Sequence, residues 1–374
     1  MCRHDLEGLH LVPDESRPLK STTMIATATS GIEEAQSQDQ HPIPRPNKLQ
    51  PLRYTSRLTW KGRKSEWSPH ILRTIVSSSG TNGSNRSNIT IMSLNRWFEG
   101  DPTTAPQERL KALLTELATS SADVVNLQEV TQSAIRAFQD DERFRQKWIV
   151  SSFDPGVYSR EGHGLLTLVN RHTTEMVGAE RYALDEHPDE GMRSGRTLLV
   201  SEIVKDGVHV CVINAHLESA RLPRHTSTEG YREARARLVA VREYQISVAA
   251  RIAEAFSTSH KSRAVIFAGD TNLCDESEQD APERHGFQDA WRVLHGSSGE
   301  TGNTFGITWS SEKKVTPSRL DRVVFMGELR PVRFEILFTT PLELDGELRE
   351  ILGHDVYLSD HAGVLAEFEM GGGA

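Results

Sequence analysis

The chain has 374 residues, 37% of them hydrophobic, and a formal net charge of −9 from 43 Lys and Arg against 52 Asp and Glu. That length holds one large domain or two ordinary ones, and the acidic balance excludes a general nucleic-acid coating protein, which needs a basic surface to displace counterions. Its cysteines, Cys2, Cys211 and Cys274, form no CxxC pair, so neither a disulfide framework nor a zinc cage is available.

Residues 1–50 are rich in Ser, Thr, Pro, Gln and acidic residues without a sustained period. Such a segment buries too little apolar area to offset its chain entropy, which predicts a disordered tail followed by a folded domain over 51–374. Aromatics recurring from Tyr54 to Trp67 predict an opening hairpin, and Ser77–Ser87 a flexible loop. Strands are then expected at Ile89–Leu94, Val124–Leu127, Leu165–Val169, Thr197–Val204, Val208–Ala215, Ala264–Phe267, Arg322–Phe325 and Val364–Phe368. Helices are expected over Pro106–Thr119 and Thr228–Phe256, the second carrying Leu238, Val241, Ile246 and Ile252 at helical spacing. Strands outnumber helices and many are joined by hairpins. The pattern fits an α/β protein of the α+β type, a four-layer sandwich of two mostly antiparallel sheets flanked by helices, better than a doubly wound parallel sheet. No apolar leader and no run of membrane-spanning length occurs, which predicts a soluble protein inside the cell, in nucleus or cytoplasm, with no membrane contact.

Polar clusters fall at the ends of these strands: Ser93-Leu94-Asn95, Leu127-Gln128-Glu129, the run from Asn214 through His216 to Ser219, Gly269-Asp270-Thr271-Asn272 and Ser359-Asp360-His361. Another, Arg319-Leu320-Asp321-Arg322, opens a strand. Each has an ordinary reading: Asn95 as a turn residue, Glu129 as a solvated carboxylate, His216 as a hydrogen-bonded core histidine, Gly269–Asn272 as an Asx turn, Asp360 as a helix cap. Strand ends at one sheet edge converge in space, however, and the recurrence of acid, amide and imidazole groups at all of them points to one shared functional site.

The order and wording of these clusters resemble the endonuclease/exonuclease/phosphatase superfamily over roughly residues 52–370. Within it, His216-Leu217-Glu218-Ser219 and the run from Val265 to Leu273 look most like the 5′-tyrosyl-DNA phosphodiesterase group, which removes a trapped topoisomerase tyrosine from a DNA 5′ end. The resemblance implies a magnesium ion, with manganese as a substitute, held through Glu129 and Asn95, with Asp360 as a further ligand. It implies Asp270 as the base for the attacking water, Asn272 as a donor to a phosphoryl oxygen, His216 and His361 on either side of the phosphate, and Asp321 as the acid orienting His361. Asp321 has the alternative of a surface pair with Arg319 or Arg322.

A nucleic-acid 5′ end or a protein–DNA adduct is the implied partner of a monomeric enzyme. Ser219, Arg221, Phe305 and Trp309 are the expected substrate contacts, the aromatics by stacking on a terminal base, with core packing as their alternative. Cys274 departs from the group, which carries an arginine there. Two other readings stand beside this one: a superfamily phosphoesterase acting on RNA, abasic DNA or a phosphorylated lipid headgroup, and a catalytically silent binding scaffold.

Overall fold

In a computed structural model of the chain, residues 58–61, 66–69, 87–98, 100–151, 162–184, 195–219, 228–259, 264–296, 298–308 and 315–371 are described. The expected tail and the loop up to residue 86 lie outside them, as do Arg221 and Trp309. The expected hairpin is present as β1 (Leu58–Lys61) and β2 (Glu66–Pro69).

The chain then forms β3 (Ser87–Asn95), α1 (Pro106–Thr119), β4 (Val124–Thr131), α2 (Gln132–Asp140), α3 (Glu142–Lys147), β5 (Trp148–Val150), β6 (His163–Asn170) and β7 (Glu175–Ala183). After β8 (Thr197–Lys205) and β9 (Val208–His216) come α4 (Thr228–Ser259), β10 (Ala264–Asp270), α5 (Ala281–Arg284), β11 (Gln288–Asp289) and α6 (Ala290–His295). The remainder is β12 (Asp321–Met326), β13 (Leu329–Leu337), α7 (Gly346–Leu352) and β14 (Gly363–Met370). Every expected strand and both expected helices form, with ends shifted by a few residues.

An eight-stranded sheet runs β13-β14-β3-β4-β6-β5-β1-β2, and a six-stranded one β11-β12-β10-β9-β8-β7. Each holds one parallel pair, β3–β4 and β9–β10, and every other pairing is antiparallel. A parallel pair needs a long crossover, and α1 and α4 supply it. The sheets pack face to face with helices outside: Leu113 and Leu117 of α1, Phe138 of α2 and Phe144 of α3 cover the outer face of the larger sheet together with Leu94, Val125 and Leu127. Among the described residues no helix is long and apolar enough to cross a membrane.

Strand alternation sorts the side chains. Ile89 and Ile91 of β3, Val210 and Val212 of β9, Ile266 and Ala268 of β10, and Val323 and Phe325 of β12 share the core between the sheets. Two residues on from these stand Ser93 and Asn214, level with Asn126 and Gln128 of β4 in a buried polar layer. Asn126 Nδ2 donates to the carbonyl of Ala268 (3.0 Å) and Asn214 Nδ2 to that of Leu166 (3.0 Å), each reaching into the opposite sheet. Gln128 Nε2 donates to Asn214 Oδ1 (2.9 Å) and to Ser93 Oγ (3.1 Å), and Thr167 Oγ1 donates to Asn126 Oδ1 (3.0 Å). A further two residues along come Asn95, His216 and Asp270, at the rim.

The strands absent from the sequence reading lie mainly at the periphery. β13 carries Pro331, which disguises a strand, and the sheet accommodates it on an edge beside a register shift between Pro331 and Arg333. β7 is the edge of the other sheet, with a half-buried pattern that gives little apolar contrast.

Asn214→Leu keeps the branching of the side chain but adds bulk, and it removes the Asn214 partners of Gln128 Nε2 and of the Leu166 carbonyl. It is expected to lower unfolding free energy by roughly 3 kcal/mol, read as a lower midpoint in urea at unchanged slope.

Candidate active site

Both sheets contribute to the rim. The register sets Asp270 beside His216 across the parallel pair and beside Asp321 across β12. Gly269 permits this approach: a Cβ there would lie 2.1 Å from the carbonyl oxygen of Ala215. From the other sheet, Asn95 donates through Nδ2 to Asp270 Oδ2 (2.9 Å) and to Glu129 Oε1 (3.1 Å), so one amide bridges acids from both sheets. His216 Nε2 and His361 Nε2 approach that same Asp270 oxygen at 3.4 and 3.9 Å.

His361 is oriented by Asp321, whose Oδ2 lies 2.7 Å from His361 Nδ1 and also accepts from Thr304 Oγ1 (2.7 Å). The alternative surface pair for Asp321 does not form; Arg319 and Arg322 turn instead to Asp289. Ser359 Oγ donates to the Asn95 carbonyl (2.6 Å) and accepts the His361 N–H (3.2 Å), joining the loop before β14 to the end of β3.

Glu129 follows a different rule. With Asn126 and Gln128 facing the interior, alternation would turn Glu129 away from the site. A register shift between Leu127 and Val130 and a left-handed backbone at Glu129 (φ 55°) bring its carboxylate to the rim, where Oε2 accepts the Phe98 N–H (2.9 Å). Trp97 (φ 54°) and Asn272 (φ 50°) are also left-handed. Backbone strain of this kind persists only where its surroundings over-determine it. At Trp97 buried Arg109 does so, donating to the Arg96 and Trp97 carbonyls (2.7 Å each) and to that of Leu358 (3.1 Å), with its guanidinium 4.3 Å from the Trp97 ring centre.

Burial drives the Asp270 carboxyl up to about 7, with the Asp321 charge pushing the same way; the His361 charge and the Asn95 and Asn272 N–H donors resist. Burial also raises Asp360, to about 6, against the His361 charge and reinforced by Glu129. For His361 burial favours the neutral ring, but Asp321 and Asp270 together hold it well above the usual imidazole value.

The donor set fits a hard divalent cation. Glu129 and Asp360 offer carboxylate oxygens; burial raises Asp360 and the Glu129 charge adds to it, and a bound cation would offset both. Asn95 accepts the Trp97 N–H through Oδ1 (3.0 Å), which leaves that oxygen a second lone pair, and its Nδ2 holds the two acids. Asp270, Asp321 and His361 also place ligand atoms within 4.8 Å of one another, a candidate cation cluster in which Asp321 Oδ2 already lies 2.7 Å from His361 Nδ1.

Asn272, expected as a phosphate donor, gives its Nδ2 to the Leu217 carbonyl (3.2 Å), while its backbone N–H goes to Asp270 Oδ1 (3.0 Å). Ser219 is half-buried beyond His216. Phe305 is buried, at 6% exposure, and its ring lies tilted against His361 with centroids 4.9 Å apart, which is the core-packing alternative. The sequence reading missed a cleft beside His216 lined by His163, Leu165, Arg196 and Thr197, with the Phe98 ring 4.7 Å from that of His163. These residues stand singly in the sequence, so no motif flags them.

The sequence matches the Endonuclease/Exonuclease/phosphatase family over residues 92–361. No curated protein matches it. Among solved structures it is similar to D. rerio TDP2 complexed with single-strand DNA product, at 21% identity over 75% of this chain and 99% of that one, with a TM-score of 0.55. Truncated TDP2 of Caenorhabditis elegans gives 20%, 75%, 97% and 0.55 for the same measures. The Bacteroides thetaiotaomicron mannosyl-6-phosphatase Bt3783 gives 15%, 75%, 99% and 0.53. At these identities the likeness is one of fold.

Raised pKa values at Asp270, Asp360 and His361 mean that the folded chain holds protons the unfolded chain releases, so this stabilisation fades as pH rises. For Asp270 the loss runs from the ordinary value of 3.8 to the folded value of about 7. Metal-free Asp270→Asn is therefore expected to gain Tm relative to the unaltered chain between pH 5 and pH 8, measured by thermal scans in EDTA. A gap that stays constant over that range would reject the raised carboxyl.

Proposed function

The chain belongs to the endonuclease/exonuclease/phosphatase family, and from that premise we propose that it is a divalent-cation-dependent phosphodiesterase acting at nucleic-acid ends, releasing tyrosine from 5′-phosphotyrosyl DNA. The observation carrying this reading is the convergence of His216 and His361 on one oxygen of Asp270, beside Glu129. The catalytic domain spans 51–374, with 1–50 as a separate tail, and the enzyme works as a monomer in the nucleus or cytoplasm.

Asp270 accepts a proton from water, whose oxygen forms the new bond to phosphorus as the bond to the tyrosyl oxygen breaks. Its raised pKa suits a base operating near neutrality. His216 and His361 donate N–H groups to the phosphoryl oxygens from either side, and Asp321 keeps His361 cationic for that purpose. Asn95 fixes Asp270 against Glu129, so base and ion site keep one spacing. Glu129, with Asp360, holds magnesium or manganese, which when bound neutralises charge on the phosphate and polarises it. The leaving phenol has a pKa near ~10, so it departs with little help from a general acid.

The cavity beside His216, lined by His163 and Arg196, measures about 20 Å³ and has room for a water molecule rather than a phenol ring. Cys274 leaves no cation at its own position, but Arg235 of α4 pairs with the adjacent Asp275 and brings a guanidinium to that loop. The likeness of His216-Leu217-Glu218-Ser219 and of the run from Val265 to Leu273 to the 5′-tyrosyl-DNA phosphodiesterase group supports the tyrosyl substrate. Of the other relatives, the mannosyl-6-phosphatase points to phosphorylated small molecules as the competing substrate class.

A 5′-phosphotyrosyl oligonucleotide with magnesium is expected to yield free tyrosine, and Glu129→Gln or Asp270→Asn to lower kcat about 10³-fold. Turnover of abasic DNA, RNA or a sugar phosphate in its place would reject the tyrosyl substrate and keep the hydrolase. A folded, metal-loaded protein silent on every phosphoester would reject both.

A further inference from the structure

Arg242 of α4 lies among the helix's apolar face, with Leu238, Val241 and Ile246 buried beside it, and its side chain is 1% exposed. Its Nε and Nη2 donate to the two oxygens of Glu278 at 2.9 Å each, and Nη1 donates to the Glu218 carbonyl (3.1 Å). One turn on, Gln245 Oε1 accepts the Glu218 N–H (2.9 Å). Both backbone polar groups of Glu218 are thus held by α4. Glu278 in turn accepts the Asp275 N–H (2.8 Å) and closes a capping box on the turn after the Gly269–Asn272 loop.

Replacing both members of a fully buried ion pair by apolar residues commonly leaves stability intact or improves it. Stability alone therefore does not account for this pair. What it joins does: the loop leaving β9 just past His216, and the loop leaving β10 just past Asp270 and Asn272. Those loops also touch directly, through Leu217 N–H to the Asp270 carbonyl (2.9 Å).

We propose that Arg242 and Glu278, with Gln245, are positioning residues that keep His216 and Asp270 aligned without touching substrate. This rests on the hydrolase reading, in which those two side chains act on one phosphate. Strand register already pairs the two residues, and the clamp steadies the loops that follow them, so it acts on the alignment of the reacting groups, and on kcat, more than on KM.

The test compares the full-length chain with Arg242→Met/Glu278→Leu and with the isosteric Glu278→Gln. Amide hydrogen exchange at Leu217 and Glu218 is expected to accelerate at least tenfold in the double variant, with Ile213 and Phe267 unchanged. On the p-nitrophenyl ester of thymidine 5′-monophosphate with magnesium, kcat is expected to fall about tenfold at a KM within about twofold. Glu278→Gln moves both readouts the same way by less, and it decides the matter if the double variant fails to fold. Unchanged exchange at Leu217 and Glu218 in a folded variant overturns the clamp, as does an unchanged kcat. An unaltered enzyme silent on all phosphoesters sinks the hydrolase reading instead, and exchange, which needs no substrate, still decides whether the clamp exists.

Discussion

Apolar packing holds two sheets together without saying how far one can slide over the other, because the attraction is proportional to area and indifferent to direction. The buried amides of Asn126, Gln128 and Asn214 supply the missing direction. Asn126 and Asn214 each hydrogen-bond a carbonyl of the facing sheet, so a shift of even one residue would strand donors in a dry interior. The rim depends on this layer. Asn95 and Glu129 come from one sheet, His216, Asp270 and Asp321 from the other, and they share a site only while the sheets keep their register.

Much of that was legible in the sequence, for a physical reason. On β3, β9 and β10 alternation runs from apolar core to small or amide side chain to reactive group, so Asn95, His216 and Asp270 stand in the phase of the hydrophobic pattern that precedes them. Glu129 breaks that phase, and only its motif neighbours Leu127 and Gln128 flagged it. Arg109 and Arg242 were missed although a signal existed: each is a charged residue on the apolar stripe of an amphipathic helix, where a lone arginine needs buried partners. His163 and Arg196 carry no comparable signal, since the cleft joins them through the fold alone. Edge strands such as β7 and β13 escaped because half-solvated strands lack apolar contrast.

The site is also a place where folding and chemistry disagree. Asp270, Asp321, Asp360 and Glu129 crowd one rim, and desolvation pushes Asp270 and Asp360 toward their neutral forms. A dispersed surface would relax this repulsion. The fold instead maintains it, with helix-borne arginines behind the loops and with left-handed residues that present the side chains, an arrangement that suits the proposed cation and phosphate.

The left-handed backbone of Glu129 carries an evolutionary implication. Glutamate pays on the order of 1 kcal/mol or more for that conformation, while glycine and asparagine adopt it readily. A lineage that kept the scaffold for binding and lost selection for hydrolysis would drift toward Gly or Asn at this position and become sturdier as it did so. On the role proposed for Glu129, a glycine or asparagine at this position would mark a relative that kept the fold and gave up hydrolysis.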